Sequence, residues 1–335
     1  DCLRLIYFGG DRLYIPVENI DLLSRYGQQS NNSNLDKLGG VAWQAKKARI
    51  KNRIREMADD LIKIAANRQT SKAEKLEVPT GIFDEFCARF QFVETDDQLD
   101  AISDVISDLA SGKPSDRLIC GDVGFGKTEV ALRAAFVVCM SGYQVALVTP
   151  TTLLARQHGK LFEERFKGFP IQIGVLSRMT QRNKAMQTKK EVADGTCQIV
   201  IGTHALLSKK IHFDNLGLII VDEEQHFGVS QKEQLKKIRG DIHVLTLSAT
   251  PIPRTLQMAL TGVREMSLIA TPPVDRLAVR TFVGPWDSII LREAIMREKL
   301  RGGQIFLVCA RVKDMQKLFD RITKLVPEAS VLSAH

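Results

Sequence analysis

Several absences narrow the class of this chain before any motif is read. No stretch of its 335 residues approaches the roughly 18 consecutive apolar residues that a membrane-spanning helix needs. No basic-then-apolar leader opens it. The six cysteines, Cys2, Cys87, Cys120, Cys139, Cys197 and Cys309, form no CxxC pair and do not cluster with histidines. That spacing argues against a zinc site or a disulfide framework. Several lie in apolar runs, such as Leu118-Ile119-Cys120 and Val137-Val138-Cys139, so they read as small buried hydrophobes in a reducing cytoplasm. There are no internal repeats and no low-complexity segments apart from a short polar stretch. An initiator Met is missing, and the last residue, His335, follows the apolar run from Ala329 to Leu332. Both ends are therefore expected to be cut points in a longer protein.

Charge is uneven along the chain. The formal net charge is +8, yet Val41 to Lys75 alone holds ten Lys/Arg against four Asp/Glu, a local balance of 10 − 4 = +6. Ile50, Ile54, Met57, Leu61 and Ala65 fall on one stripe there, at the spacing of a helix over about Val41 to Arg68. Its other faces carry Lys46, Lys47, Arg49, Lys51, Arg53 and Arg55. Such a face reads equally as solvated helix surface or as a contact for nucleic acid or an acidic partner.

On either side of this helix the periodicity differs. Leu3 to Pro16 alternates around Gly9-Gly10-Asp11 and predicts a β-hairpin at the end of a small β domain. Gln28 to Asn34 is polar and reads as a linker. After Pro79 come short apolar runs at Arg117–Cys120, Gln144–Thr149, Ile171–Ser177, Gln198–Thr203, Leu216–Asp222 and His243–Ser248, separated by helical stretches or longer connections. This pattern predicts a parallel sheet covered on both faces, an α/β fold. Pro272-Pro273 closes that domain. A helix over Ser288 to Leu300 and a strand over Gly302 to Ala310 then begin another α/β unit, and Ser288 to His335 is too short to complete it.

Three motifs carry chemistry. Gly121-Asp-Val-Gly124-Phe-Gly126-Lys127-Thr128 fits G-x-x-x-x-G-K-[ST], follows a predicted strand and opens a predicted helix. Glycines let backbone N–H groups close around phosphates, and the helix N-terminus adds positive potential. Lys127 would reach the β- and γ-phosphates of a nucleotide, and the Thr128 hydroxyl would ligate Mg²⁺. About a hundred residues on, Leu218-Ile-Ile-Val221 runs into Asp222-Glu223-Glu224-Gln225. Carboxylates at the end of a buried strand beside a phosphate loop suit a magnesium ligand, Asp222, and a residue that orients and deprotonates the attacking water, Glu223. Ser248-Ala249-Thr250 ends the next strand, where hydroxyls can bond the acidic motif and couple it to the γ-phosphate; alone, the triplet reads as well as a strand end with an N-cap.

The order of these motifs resembles superfamily 2 helicases and translocases. That resemblance implies a RecA-like, doubly wound sheet of the P-loop NTPase kind, with a role for Gln225 in the acidic motif. It also extends the site. Phe92-Val-Glu-Thr95-Asp-Asp-Gln98 is similar to the motif that reads adenine, through Phe92 and Gln98. Pro150-Thr151-Thr152-Leu-Leu-Ala-Arg156-Gln157 and Gly202-Thr203-His204 are similar to the motifs along the nucleic-acid track. Each of these last two reads equally as a strand-to-helix turn with an N-cap.

Thr250-Pro-Ile-Pro-Arg254-Thr255 and Ala270-Thr-Pro-Pro273 resemble the RecG/Mfd group of double-stranded DNA translocases. Leu176-Ser177-Arg178 resembles the Mfd branch, as do Asp11-Arg-Leu-Tyr14-Ile15-Pro16-Val17 with Leu22-Leu-Ser-Arg-Tyr26, and Leu38-Gly39-Gly40-Val-Ala-Trp43. The branch implies ATP and Mg²⁺ as cofactors. It implies double-stranded DNA, RNA polymerase and excision-repair proteins as partners, the last through regions absent here. DNA contacts would come from Thr151, Thr152, Arg156, Arg178, Thr203, His204 and Arg254. The implied domains are 1–28, the end of a polymerase-contacting β domain; 29–78, linker and basic helix; 79–273, the first motor lobe; and 274–335, the truncated start of a second. An arginine-finger motif and a translocation motif would lie beyond His335, so weak turnover is expected of this segment alone. Two departures stand out: His226 occupies a position where the group carries Arg, and Arg311-Val-Lys-Asp differs from the group's form. Two rival readings are a RecG-type fork-remodelling helicase and a nucleotide-binding scaffold without motor activity.

Overall fold

A computed structural model describes residues 2–6, 10–16, 44–45, 47–49, 51–52, 66, 70–77, 81–208, 211–224, 227, 242–249, 264–274, 276 and 279–334. The chain divides into two compact units, Asp1–Arg276 and Leu277–His335. Among the described residues no helix is long and apolar enough to cross a membrane.

The first unit opens with the expected hairpin. Strands β1 (Cys2–Ile6) and β2 (Arg12–Pro16) pair antiparallel from Cys2↔Pro16 to Ile6↔Arg12, with Gly10 at φ 86° in the turn. The basic helix lies largely outside the described residues; those described between 44 and 52 are helical and exposed.

From residue 81 strands and helices alternate: α1 (Ile82–Ala88), α2 (Asp96–Ala110), β3 (Asp116–Gly121), α3 (Lys127–Met140), β4 (Gln144–Thr149), α4 (Thr152–Arg165), β5 (Ile173–Leu176), α5 (Arg182–Ala193), β6 (Ile199–Thr203), β7 (Leu216–Asp222), β8 (His243–Ser248) and β9 (Glu265–Ile269). The seven strands from β3 onward form one sheet, ordered β5-β6-β4-β7-β8-β3-β9, with every pairing parallel. Each of the six apolar runs holds a strand. The seventh, β9, was not anticipated from sequence; among the described residues it pairs with β3 alone and begins on an exposed glutamate.

Residues buried on both faces explain why these strands read as continuous apolar runs rather than alternating ones. The two-residue period nevertheless sorts them. Val145, Leu147, Ile199, Ile201, Leu218 and Ile220 join one core cluster with α2, α3 and residues of α4, whereas Ala146, Val148, Val200, Ile219 and Val221 join a second with Val192 of α5. Helix α3 is buried at every residue from Val130 to Cys139, so it shows no amphipathic stripe. Helix α2 does: Gln98, Ala101, Ile102, Val105 and Leu109 face inward. Its start is fixed by a reciprocal capping box between Thr95 and Gln98.

In the second unit, α6 (Ser288–Leu300) is capped by Asp287, whose carboxylate accepts from the N–H groups of Ile289 (2.8 Å) and Ile290 (3.3 Å). It packs on α7 (Val312–Leu325) through Ile295, Ile322 and Val326. The strand expected over Gly302–Ala310 is not formed. A strand exists only as part of a ladder, and among the described residues nothing pairs with this segment. Its Phe306 and Val308 are exposed instead.

Candidate functional site

Parallel pairing brings all the strand C-termini to one edge of the sheet, the edge where ligands bind in open α/β folds. The strand order divides that edge in two. On one half, β3, β8 and β7 end in Gly121, Ser248 and Asp222, with Cys120 opposite Ser248 and Leu247 opposite Asp222. On the other half, β4, β6 and β5 end in Thr149, Thr203 and Leu176. At about 4.8 Å per strand, β3 and β7 stand about 10 Å apart, and β3 and β5 about 24 Å.

The loop between β3 and α3 is shaped by its glycines. Gly124 and Gly126 adopt φ 82° and 81°, a region that costs other residues free energy. A Cβ on Gly121 would lie 3.0 Å from the Ile269 carbonyl, and one on Gly126 would collide with the Gln98 amide. Gln98 occupies both ends of that amide: Oε1 accepts from Thr95 N–H (3.1 Å) and Nε2 donates to the Phe125 carbonyl (2.9 Å). One amide hydrogen and one carbonyl lone pair remain to it. Phe92 is exposed and meets Phe90 edge-on at 5.6 Å. Asp97, next to Gln98, accepts from the N–H groups of Ala270 (2.9 Å) and Thr271 (2.7 Å), and Thr271 holds its carboxyl below the ordinary range.

Lys127 opens α3. Its buried amine donates to the carbonyls of Gly121 (2.7 Å) and Asp122 (2.9 Å). Burial pulls its pKa below the usual lysine value, and the carboxylates of Glu223 and then Asp222 oppose that pull more than any other charge. The lysine and the two carboxylates, about a hundred residues apart in sequence, thus lie near enough to interact electrostatically. Thr128, next to Lys127 in sequence, is half-buried. Asp222 Oδ2 lies 2.9 Å from His158 Nε2, with both side chains about nine-tenths buried. Glu223 stands at φ 52°, alone among the described non-glycine residues in the left-handed region, and its N–H donates to the Leu247 carbonyl (3.0 Å). Ser248 is buried on β8 between the two halves of this site. Gln225, Thr250 and Arg254, and with them His226, lie outside the described residues.

On the other half of the edge, Thr151 caps α4 by accepting from Leu154 N–H (3.2 Å). Thr152 is half-buried, Arg156 exposed, Thr203 buried and His204 half-buried at the start of a 3₁₀ turn. Arg178 is exposed just past β5. Thr151 and Thr203 thus stand at the β4 and β6 ends of this half.

Sequence reasoning missed two neighbours of the site. One is His158, a polar residue in the inward stripe of Ala155, Gly159 and Phe162 on α4; that interruption of an apolar stripe is a signal legible in the sequence. The other is Arg276, whose Nη2 lies 3.3 Å from Asp122 Oδ2 and whose guanidinium sits 4.7 Å from the Phe125 ring centroid. No sequence signal marked it.

A family model described as DEAD/DEAH box helicase matches residues 95–259. A transcription-repair-coupling factor from Rickettsia prowazekii is 53% identical over 339 residues, covering 100% of this chain and 30% of that protein. The corresponding factors of Bacillus subtilis and Escherichia coli are 48% and 46% identical, over 28% and 29% of their lengths. The chain thus spans less than a third of the curated relatives it matches. Among solved structures, RecG bound to a three-way DNA junction superposes with a TM-score of 0.69 at 30% identity, covering 88% of this chain and 40% of that one. By similarity along its whole length, and by a parallel sheet shared with RecG, the chain belongs to the transcription-repair-coupling factor family.

Proposed function

We propose that this chain carries the ATP-binding lobe of a motor that translocates on double-stranded DNA and acts on stalled RNA polymerase in DNA repair. One observation bears most of the weight: the buried amine of Lys127 sits within the field of Glu223 and Asp222 at the mouth of a glycine-shaped loop. On this reading residues 1–28 end a β domain that contacts RNA polymerase, and 29–78 link it to the motor. Residues 79–273 form the first lobe, and 274–335 begin the second. The DNA and polymerase partners place the protein in the cytoplasm.

In this scheme the loop N–H groups and the start of α3 receive the phosphates. Lys127 exchanges its two carbonyl partners for phosphate oxygens. Phe92 and the remaining valences of Gln98 take the adenine, and Gln98 transmits its position to the loop through the Phe125 carbonyl. The donor set suits magnesium. Among the described residues no three metal-binding side chains gather, and magnesium is commonly held by one or two carboxylates together with phosphates and water. Thr128 and Asp222 would hold it. When bound, the ion neutralises charge developing on the β- and γ-phosphates. Glu223 orients and deprotonates the attacking water, with Gln225 beside it, while Ser248 and Thr250 couple the site to the rest of the motor. Thr151, Thr152, Arg156, Arg178, Thr203, His204 and Arg254 would meet DNA phosphates, which position a duplex without reading its bases.

The test is ATP hydrolysis by the intact protein in the presence of duplex DNA, single strands or RNA. Duplex DNA should stimulate most, and Lys127→Ala should lower the rate by at least about a hundredfold, the scale set by losing phosphate stabilisation in a dry site. Retention of RNA polymerase in a pull-down separates this reading from a RecG-type fork remodeller. A Lys127→Ala protein with undiminished function would instead mark a scaffold.

A further inference from the structure

We propose that His158 is a positioning residue for Asp222: its imidazole holds one carboxylate oxygen so that the other is presented to magnesium. This rests on Asp222 being the metal-binding carboxylate proposed above.

The two residues come from different elements, 64 positions apart, and meet at 2.9 Å in a place where both are buried. A carboxylate can only accept, so Nε2 carries the hydrogen and donates to Oδ2. Filling the core does not require this pair. His158 interrupts an otherwise apolar or small inward stripe of Ala155, Gly159 and Phe162, where an aliphatic side chain would avoid the cost of desolvating an imidazole. The ring also has an aromatic neighbour, and its helix is closely seated. Phe162 meets it edge-on at 6.5 Å and 76°. Gly159 lets α4 seat so closely on β5 that an added Cβ would approach Val175 Cγ2 to 2.7 Å. A hydrogen-bond donor on a seated helix, aimed at a carboxylate at the end of a central strand, is what a metal ligand needs to stay in one orientation. The same helix begins at the cap of Thr151, on the half of the edge assigned to DNA. His158 therefore joins that half to the metal-binding carboxylate through a single rigid element.

The test compares reach at constant chemistry. His158→Gln can place an amide N–H where Nε2 stands, whereas His158→Asn is one methylene short of Asp222. A fluorescent ATP analogue is bound to the purified chain in EDTA and then titrated with Mg²⁺, and folding is checked by near-ultraviolet circular dichroism. His158→Asn should raise the Mg²⁺ midpoint by about 10- to 100-fold, the usual effect of losing a partner of a metal ligand. Metal-free affinity should stay within about twofold, and His158→Gln should return the midpoint to near the wild-type value. If His158→Asn does not fold, His158→Met, similar in volume and without a donor, takes its place. An unchanged midpoint in the donor-free variant, or equal impairment in Gln and Asn, overturns the assignment to His158 alone. A wild-type chain that binds the analogue without any response to Mg²⁺ overturns the metal role of Asp222 and this proposal with it.

Discussion

His243 opens β8 with its Nδ1 accepting from Ser115 N–H (3.3 Å), while Nε2 has no partner among the described residues. Burial lowers its pKa from 6.5 to about 4. A histidine depressed in the folded state is neutral there while the unfolded chain already takes a proton. Its contribution is therefore fully present above pH 6.5 and is lost as pH falls from 6.5 towards 4. The loss amounts to about 3 kcal/mol at 1.36 kcal/mol per pKa unit. Urea unfolding at pH 7.5 and 4.5 should show this decline in the wild type and a smaller one in His243→Gln. Gly126 gives a second prediction. Gly126→Ala would strain a backbone at φ 81° by about 1–2 kcal/mol and displace the Gln98 amide from the Phe125 carbonyl. Titration with a fluorescent ATP analogue should show affinity reduced by about tenfold or more, the equivalent of 1.4 kcal/mol. At this scale the glycine-shaped loop before α3 was legible because its glycines, lysine and threonine are contiguous. Arg276 was not, because it acquires its meaning from a partner 154 residues away, and His158 is legible only as a break in an apolar stripe, since its partner stands 64 residues away.

Among the elements, α3 carries the most. Glu129, in its first turn, accepts from Arg133 Nε (3.0 Å) and Arg165 Nη2 (2.6 Å), and Arg133 also pairs with Glu94. This network ties α3 to the end of α4 and to the segment before α2. Glu129 is 6% exposed, so Glu129→Ala would leave two guanidiniums short of a buried partner, at a cost of about 3–5 kcal/mol in urea unfolding. Arg165→Met should cost less, since the Glu129–Arg133 pair survives. The strands of the sheet interior were legible as elements because burial on both faces makes their sequences uniformly apolar. Strand β9 was not. Its Ser267 hydroxyl donates to Asp104 (2.7 Å) and accepts from Arg117 (2.9 Å), so a buried position there is polar and the apolar run is broken. The segment over Gly302–Ala310 erred in the opposite direction: its composition suits a strand, but composition supplies no neighbour to pair with.

For the molecule as a whole, the two units differ in what holds them. The first contains two extensive apolar clusters on either face of its sheet, whereas the second relies on Ile295, Ile322 and Val326. Hydrogen exchange followed by mass spectrometry should find α6 and α7 opening at far lower free energy than α3 or β7, since local stability follows buried apolar contact. Equal protection in both would contradict it. The chain leaves the first unit at Arg276, the same residue that rests on Asp122 and the Phe125 ring. The exit strap of one unit is thus fastened to the rim of its own phosphate loop. Whatever displaces the backbone at Arg276 therefore bears directly on the loop to which Asp122 and Phe125 belong.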